Sequence, residues 1–275
     1  MKSLGKYLIL ALLLAIMGAA VYLYNNRLAQ NVNILLLGVD SSDKYTRHAD
    51  TIMVMRFEVK KKKITFISIP RDTKVIYRGK ARKINSVYVL NYNEGKYSKA
   101  NIEMLKIAET VIKEKVSYYA QVDYGGVKNV VDYFGGVRLD IPLRMYYKDE
   151  ADGLLIDFQA GPQTLDGAAA VKYLRFRKDL KADVGRMERQ QKFMFILAAM
   201  IMKKLKTKDV INVYSSVATC LNTNFPPDKA VYLVSVFNEN DLYGSSKIIL
   251  PGEAVYEGRQ AYWKPDSTKI AELFK

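Results

Sequence analysis

The stretch VNILLLGV, residues 32 to 39, is apolar apart from Asn33 and runs into Gly38 and Asp40. A short apolar run bounded by turn formers fits a buried strand. Two more strand-like runs follow, Thr51 to Phe57 and Ile64 to Ile69. A turn through Lys60 to Lys63 joins them, and its ammonium groups are expected in solvent. Asn101 to Lys115 repeats Ile102, Leu105, Ala108, Val111 and Ile112 at helical spacing. Tyr118 to Val122 reads as a strand. Val127 to Phe134 reads as a short helix stopped by Gly135-Gly136. Val137 to Ile141 is another strand, and Leu154 to Phe158 is expected to pair with Met145 to Tyr147. Helices are expected at Asp166 to Phe176, Arg186 to Lys206, 208–221, 228–239 and 267–274, with a strand near Ile248 to Leu250. This alternation predicts an α/β fold, a central mixed β-sheet covered by helices on both faces. No Pro/Gly/Ser-rich linker divides residues 31–275, so they are read as one domain.

Composition excludes several function classes. Of 275 residues, 49% are apolar, which is incompatible with global disorder. The single cysteine, Cys220, excludes an internal disulfide framework and Cys-rich metal sites. The single histidine, His48, excludes a multi-His metal site. Lys and Arg number 43 against 28 Asp and Glu, a formal charge of +15, which points to an anionic partner. Residues 7–26 carry no charge, and the 18 residues from Tyr7 to Tyr24 form an apolar segment preceded by Lys2 and Lys6. As a helix it spans about 27 Å, close to the hydrocarbon thickness of a bilayer. Residues 1–30 are therefore expected to be a cytoplasmic tip and transmembrane signal anchor. The basic flank places residues 31–275 outside the cytoplasm, which argues against nucleic acid as the partner. A cleaved signal peptide is the alternative.

Arginine is scarce beside lysine, yet Arg175, Arg177, Arg186 and Arg189 fall within 15 residues. Guanidinium forks match phosphate oxygens in pairs and stay charged at working pH. Arg175 and Arg177 point the same way if the chain there is extended. Arg186, Arg189 and Gln190 share one helix face. The bland reading is salt bridging with Asp179, Asp183 and Glu188. Upstream, Asp40 ends one strand, Arg71-Asp72 follows another and Asp50 begins a third. Ligands of open α/β sheets bind past the carboxyl ends of strands. Two carboxylates there suit Mg²⁺, which takes oxygen ligands and substrate phosphates.

In order, NILLLGVD (33–40), HADTIM (48–53), ISIPRDT (67–73), KIN (83–85), GGV (135–137), LDGAAAVKYLRFRKD (165–179) and D-x-x-R-x-x-RQ (183–190) resemble the LytR-CpsA-Psr family over residues 31–206. The resemblance implies a single-pass bacterial membrane enzyme with an extracytoplasmic catalytic domain. It implies a Mg²⁺-dependent phosphotransferase moving a phosphoglycan, such as teichoic acid or capsule, from a polyprenyl-pyrophosphate carrier to peptidoglycan. Carried over by motif, Asp40 and Asp50 would hold Mg²⁺, while Arg71, Arg175, Arg177, Arg186 and Gln190 would hold the pyrophosphate. Asp183 would orient arginines or deprotonate the acceptor, and Lys83 would stand near the pocket with Arg189. His48 occupies the place where the family usually carries Arg, and Arg47 sits one position earlier. Arg138 and Arg259 fall outside the motifs and are expected to take no part in phosphate binding. A hydrolase of the same lipid, or a non-catalytic polyanion-binding regulator, stays open. The second would not need paired aspartates.

Overall fold

The computed structural model describes residues 31–39, 48–93, 97–150, 153–176, 182–205 and 210–274. The apolar segment 7–24 lies outside them, and among the described residues no helix is long and apolar enough to cross a membrane. The chain opens with β1 (Val32–Val39), β2 (Ala49–Glu58) and β3 (Lys63–Ser68), followed by a hairpin of β4 (Lys74–Tyr77) and β5 (Lys80–Lys83). Next come α1 (Ile84–Asn91), α2 (Tyr97–Ile112), β6 (Tyr118–Asp123), α3 (Tyr124–Tyr133) and β7 (Val137–Ile141). Then follow a hairpin of β8 (Met145–Asp149) and β9 (Leu154–Phe158), β10 (Gly161–Leu165), α4 (Gly167–Arg175) and the long α5 (Ala182–Leu205). The chain closes with α6 (Val210–Ala218), β11 (Asn222–Thr223), α7 (Pro227–Val236), α8 (Glu239–Tyr243), β12 (Ser246–Ile249), a hairpin of β13 (Gly252–Glu257) and β14 (Gln260–Pro265), and α9 (Ser267–Glu272).

Six strands form one mixed sheet in the order β11-β6-β1-β2-β3-β12. The pairs β1–β6 and β3–β12 are parallel, while β1–β2, β2–β3 and β6–β11 are antiparallel. These directions put the carboxyl ends of β1, β3, β6 and β12, and the start of β2, at one edge.

Alternation along the strands divides the core. Leu35, Leu37, Ile52 and Val54 pack with Val87 and Tyr88 of α1 and Met104 and Ala108 of α2. Ile34, Met53, Phe57 and Phe66 face the other way and pack with Phe195, Ala199 and Met202 of α5, Leu233 of α7 and Leu242 of α8. Helices thus cover both faces, as the alternating pattern predicts. A third cluster joins α3, α4, the strands β7 to β10 and the middle of α5 around Phe193 and Leu197.

Two local features differ from the sequence expectation. Ile102 is 44% exposed, and the buried stripe of α2 runs through Asn101, Met104, Ala108 and Val111. Asn101 belongs inside because its Nδ2 donates to Gln121 Oε1 at 2.9 Å and Asn222 Oδ1 at 3.0 Å. Apolar periodicity does not register a polar core residue. Arg175 is the last residue of helix α4 rather than part of an extended segment. Its supposed neighbour Arg177 lies outside the described residues.

Candidate active site

The shared strand edge gathers the polar residues of several distant segments. Asp50 stands at the start of β2 and Arg71 just past the end of β3. Arg71 Nη1 donates to Asp50 Oδ1 at 3.0 Å, and both side chains are partly buried. Asp123, the last residue of β6, caps α3 by accepting from Gly126 N at 2.8 Å. In the β1–β2 register Val39 lies opposite Ala49, so the chain leaves β1 beside Asp50. Asp40 and Arg47 lie outside the described residues.

Two cavities meet at Asp50. The first, about 470 Å³, runs between the sheet and helices α3, α5, α6 and α7. Its walls are apolar: Leu36, Met53, Met55, Val127, Met194, Leu197, Ile201, Val217, Ala218 and Leu233 among others. Asp50, Asp123, Arg175, Arg186 and Gln190 also line it. An apolar chamber with a few convergent polar groups is the usual make-up of a small-molecule site. From α5, Met194 and Leu197 reach this cavity, whereas Phe193 is fully buried core.

The second cavity, about 910 Å³, opens on the other side of Asp50. His48, Arg71, Asp72, Arg82, Lys83, Arg259 and Tyr262 line it. Lys83 Nζ pairs with Asp72 Oδ1 at 2.9 Å. The two hairpins that wall it are stapled together. Thr73 bridges Trp263, Trp263 N donates to Asp72 O at 2.9 Å, and Lys74 pairs with Glu257.

Helices α4 and α5 are fixed by contacts that sequence spacing does not reveal. The first turn of α4 is held at two backbone N–H groups. Gly167 N donates to Asp132 Oδ1 at 2.7 Å and Ala169 N to Asp166 Oδ1 at 2.8 Å. Two carboxylates there complement the helix dipole. A Cβ on Gly167 would lie 2.3 Å from Lys128 O, so this close seat of α4 on α3 requires glycine. At the other end of α4, Arg175 reaches the cavity with its guanidinium 5.8 Å from the Tyr124 ring centre. Helix α5 is anchored through Gln191, whose Nε2 donates to Ser68 Oγ at 2.8 Å and Ile248 O at 2.9 Å. That anchor sets Arg186 and Gln190 at the cavity.

Arg189 is turned elsewhere. It is 7% exposed, its Nε donates to Tyr173 O at 3.0 Å, and its Nη2 donates to Phe176 O. These are carbonyls at the C-terminus of α4, so Arg189 ties α5 to α4 and lines neither cavity. The side chain of Asp183 lies outside the described residues. The structure thus brings Asp50, Arg71, Lys83, Arg175, Arg186 and Gln190 to two adjoining cavities.

Asp123 and Arg82 line these cavities although the sequence pattern does not single them out, and Arg259, an exposed side chain outside the motifs, lines the second. Asp123 carried a usable signal, since it ends a strand as Asp40 does. Arg82 and Arg259 sit on hairpins that the apolar pattern left as loops. The turn dipeptide Arg78-Gly79, with φ of 51° and 72°, and Gly258, with φ of 60°, were the available signals.

The fold and sequence have close parallels. Polyisoprenyl-teichoic acid–peptidoglycan teichoic acid transferase TagU of Bacillus mycoides is 29% identical over 251 residues, covering 88% of this chain and 76% of that protein. TagV of Bacillus subtilis, of the same description, is 24% identical over 249 residues, covering 88% of this chain and 63% of that protein. The crystal structure of B. subtilis TagV superposes with a TM-score of 0.73 at 23% identity, covering 89% of this chain and 94% of that one. TagT bound to LIIa-WTA superposes with a TM-score of 0.65 at 22% identity, covering 90% and 89%. At such identities the structural likeness speaks for the fold. The LytR_cpsA_psr family model matches residues 20–275, and the chain belongs to that family.

Proposed function

We propose that this protein transfers a phosphoglycan from a polyprenyl-pyrophosphate lipid to peptidoglycan. The observation that carries the reading is the apolar cavity lined at Asp50 by Arg175, Arg186 and Gln190, with Arg71 on the far side of the same carboxylate. An amphiphile with an apolar chain and a pyrophosphate head matches that division. TagU and TagV, its relatives, are named for transfer of teichoic acid to peptidoglycan.

In this reading the prenyl chain lies along Met53, Met194, Leu197 and Val217. Arg71, Arg175 and Arg186 hold the pyrophosphate oxygens, with Arg177 added by motif. The acceptor hydroxyl attacks the phosphorus that bears the glycan. A new P–O bond forms as the P–O bond to the prenyl phosphate breaks, and the hydroxyl proton passes to a base, for which Asp183 is the candidate. Phosphoryl transfer needs charge stabilisation and positioning more than covalent help, which is what fixed guanidiniums supply. The half-buried Asp50 carboxylate, next to where β1 leads into Asp40, offers the oxygen donors that Mg²⁺ prefers. Bound there, Mg²⁺ would neutralise charge on the pyrophosphate. Residues 7–24 would anchor the domain on the outer face of the bacterial membrane, beside a lipid-borne donor.

The purified full-length protein, given a lipid-linked donor and a peptidoglycan oligomer, should yield the phosphodiester-linked product by mass spectrometry. Release of free phosphoglycan with no linked product would make the protein a hydrolase instead.

A further inference from the structure

We propose that the amino edge of the sheet, opposite the cavities, is a basic surface on which the domain stands against anionic phospholipid headgroups. This rests on the reading of residues 7–24 as a membrane anchor and adds the orientation of the domain on that membrane.

The strands define the edge. β1, β3 and β6 run the same way, so Val32, Lys63 and Tyr118 begin on one side of the sheet and Asp50 lies on the other. The eight residues of β1 separate the two sides by about 25 Å. Loops at the amino edge are basic. Lys60 to Lys63 make the β2–β3 turn, Lys113 and Lys115 lie on the link from α2 to β6, and all six are exposed. Asn33 Nδ2 donates to Lys115 O at 2.7 Å, and Arg56 Nη1 pairs with Glu114 Oε2 at 3.1 Å. The link is thereby fastened against β1 and β2, beside the lysine turn.

The acidic groups of this edge are already engaged. Glu114 is held by Arg56, and Glu58 by Lys61 at 3.1 Å. Lys60, Lys62, Lys63, Lys113 and Lys115 have no ion-pair partner among the described residues. Two of them also sit where lysine is a poor backbone choice. Lys62 and Lys113 take φ of 48° and 58°, the left-handed region that glycine and asparagine enter most easily. A lysine there brings charge to the surface at the expense of backbone ease.

Chain connectivity selects a lipid surface over a soluble polyanion. The apolar segment ends at Tyr24 and β1 begins at Val32, and residues 25–31 span about 25 Å even at full extension. The amino edge is therefore the part of the domain tethered nearest the bilayer. Each lysine close to an anionic membrane favours the docked state by about five-fold. The apolar cavity is lined by Asp50 at one end and by Ile34, Phe57 and Phe225 near the amino edge. A domain standing on its lysines would thus point the prenyl chain back toward the bilayer and the pyrophosphate toward the wall.

The test uses full-length protein reconstituted into vesicles of phosphatidylcholine, with or without phosphatidylglycerol, that carry a headgroup quencher. On a Cys220→Ser background a fluorophore is placed at Ser117→Cys, exposed at the amino edge, or at Tyr256→Cys, 79% exposed on a hairpin beside the second cavity. The Ser117 label should be quenched in phosphatidylglycerol vesicles and much less in neutral ones, and 1 M salt should reverse the difference. The Tyr256 label should stay unquenched. Lys62→Asn with Lys113→Asn suits the left-handed backbone and should lower the ratio of docked to undocked protein at least ten-fold, with no loss in thermal melts. Lys80→Gln with Lys264→Gln, exposed lysines on the hairpins of the other edge, should leave that ratio unchanged.

Equal quenching of Ser117 in neutral and anionic vesicles would mean that the tether alone places the domain, and would overturn the proposal. So would quenching at Tyr256 in place of Ser117, or equal losses in the two double variants. Lysine-dependent binding of a glycerol phosphate oligomer, without lipid quenching, would assign the edge to a soluble polyanion instead. Failure of the wild type to float with neutral vesicles would sink the anchor reading, and this inference with it.

Discussion

Asp50 and Arg71 are held 3.0 Å apart between the two cavities, so each substitution there has a distinct signature. Arg71→Ala removes a charge-assisted contact worth about 1.5–3 kcal/mol, and polyprenyl-pyrophosphate binding should weaken ten-fold or more. Arg71→Lys should recover only part of it, because an ammonium cannot make the paired fork contact. Asp50→Asn should lose Mg²⁺-stimulated transfer with the fold intact. Retained metal stimulation would remove Asp50 from the metal site. Arg186 and Arg189, three residues apart on α5, should separate cleanly. Arg186→Ala should lose ligand affinity with a modest change in melting. Arg189→Ala leaves the carbonyls of Tyr173 and Phe176 without their guanidinium partner, at a cost of about 1–3 kcal/mol for each buried acceptor left unsatisfied. It should appear first as a lowered melting temperature. An unchanged melt with selective loss of ligand would return Arg189 to the binding site.

At the scale of elements, Arg175 depends on how α4 is seated, and α4 is seated through Asp132. The Lys128 ammonium, and then the Gly167 N–H, hold the Asp132 carboxyl below its usual range. A folded pKa below the unfolded one contributes stability that is fully present above the ordinary carboxylate range and is lost as pH falls through the folded value. Asp132→Asn should therefore lower stability at neutral pH and flatten its decline on acidification, as read by urea melts between neutral pH and about pH 3. The effect is small, because the pair is exposed and screened by solvent. A variant that loses stability in parallel with the wild type at every pH would show that only the neutral hydrogen bond to Gly167 matters.

At the scale of the whole molecule, the apolar cavity exists because the sheet and four helices converge on it without filling it. Ala218, from α6, is a small side chain on its wall. Ala218→Trp should keep the fold and activity on short-chain prenyl donors while weakening binding of long-chain donors by about ten-fold, given the 1.5–3 kcal/mol scale of burying a large apolar group. Equal activity on both chain lengths would place the lipid elsewhere. The anchor is tested separately. A reporter active only in the cytoplasm, fused after Lys275, should stay silent, and a strong signal would place the domain inside the cell.

The sequence alone determined the sheet's central strands, because a strand buried on both faces must be apolar along its whole length, and VNILLLGV matches β1 residue for residue. It also determined the end of α3, where Gly135 and Gly136 take φ of 76° and 101° that side chains disfavour. Asp50, Arg71, Arg175, Arg186 and Gln190 were named in advance because charge chemistry shows in residue type and motif order. Only the tertiary structure decided which of them share a cavity. Arg189 has the same type and the same helix as Arg186, yet three residues further along its guanidinium is turned onto the end of α4. Arg259 lies outside the motifs, yet the Trp263 bridge to Thr73 carries its hairpin to the strand edge where Asp50 stands, more than two hundred residues away in sequence. Local patterns encode elements because they depend on neighbours in the chain. Cavities depend on contacts between segments whose separation no local pattern records.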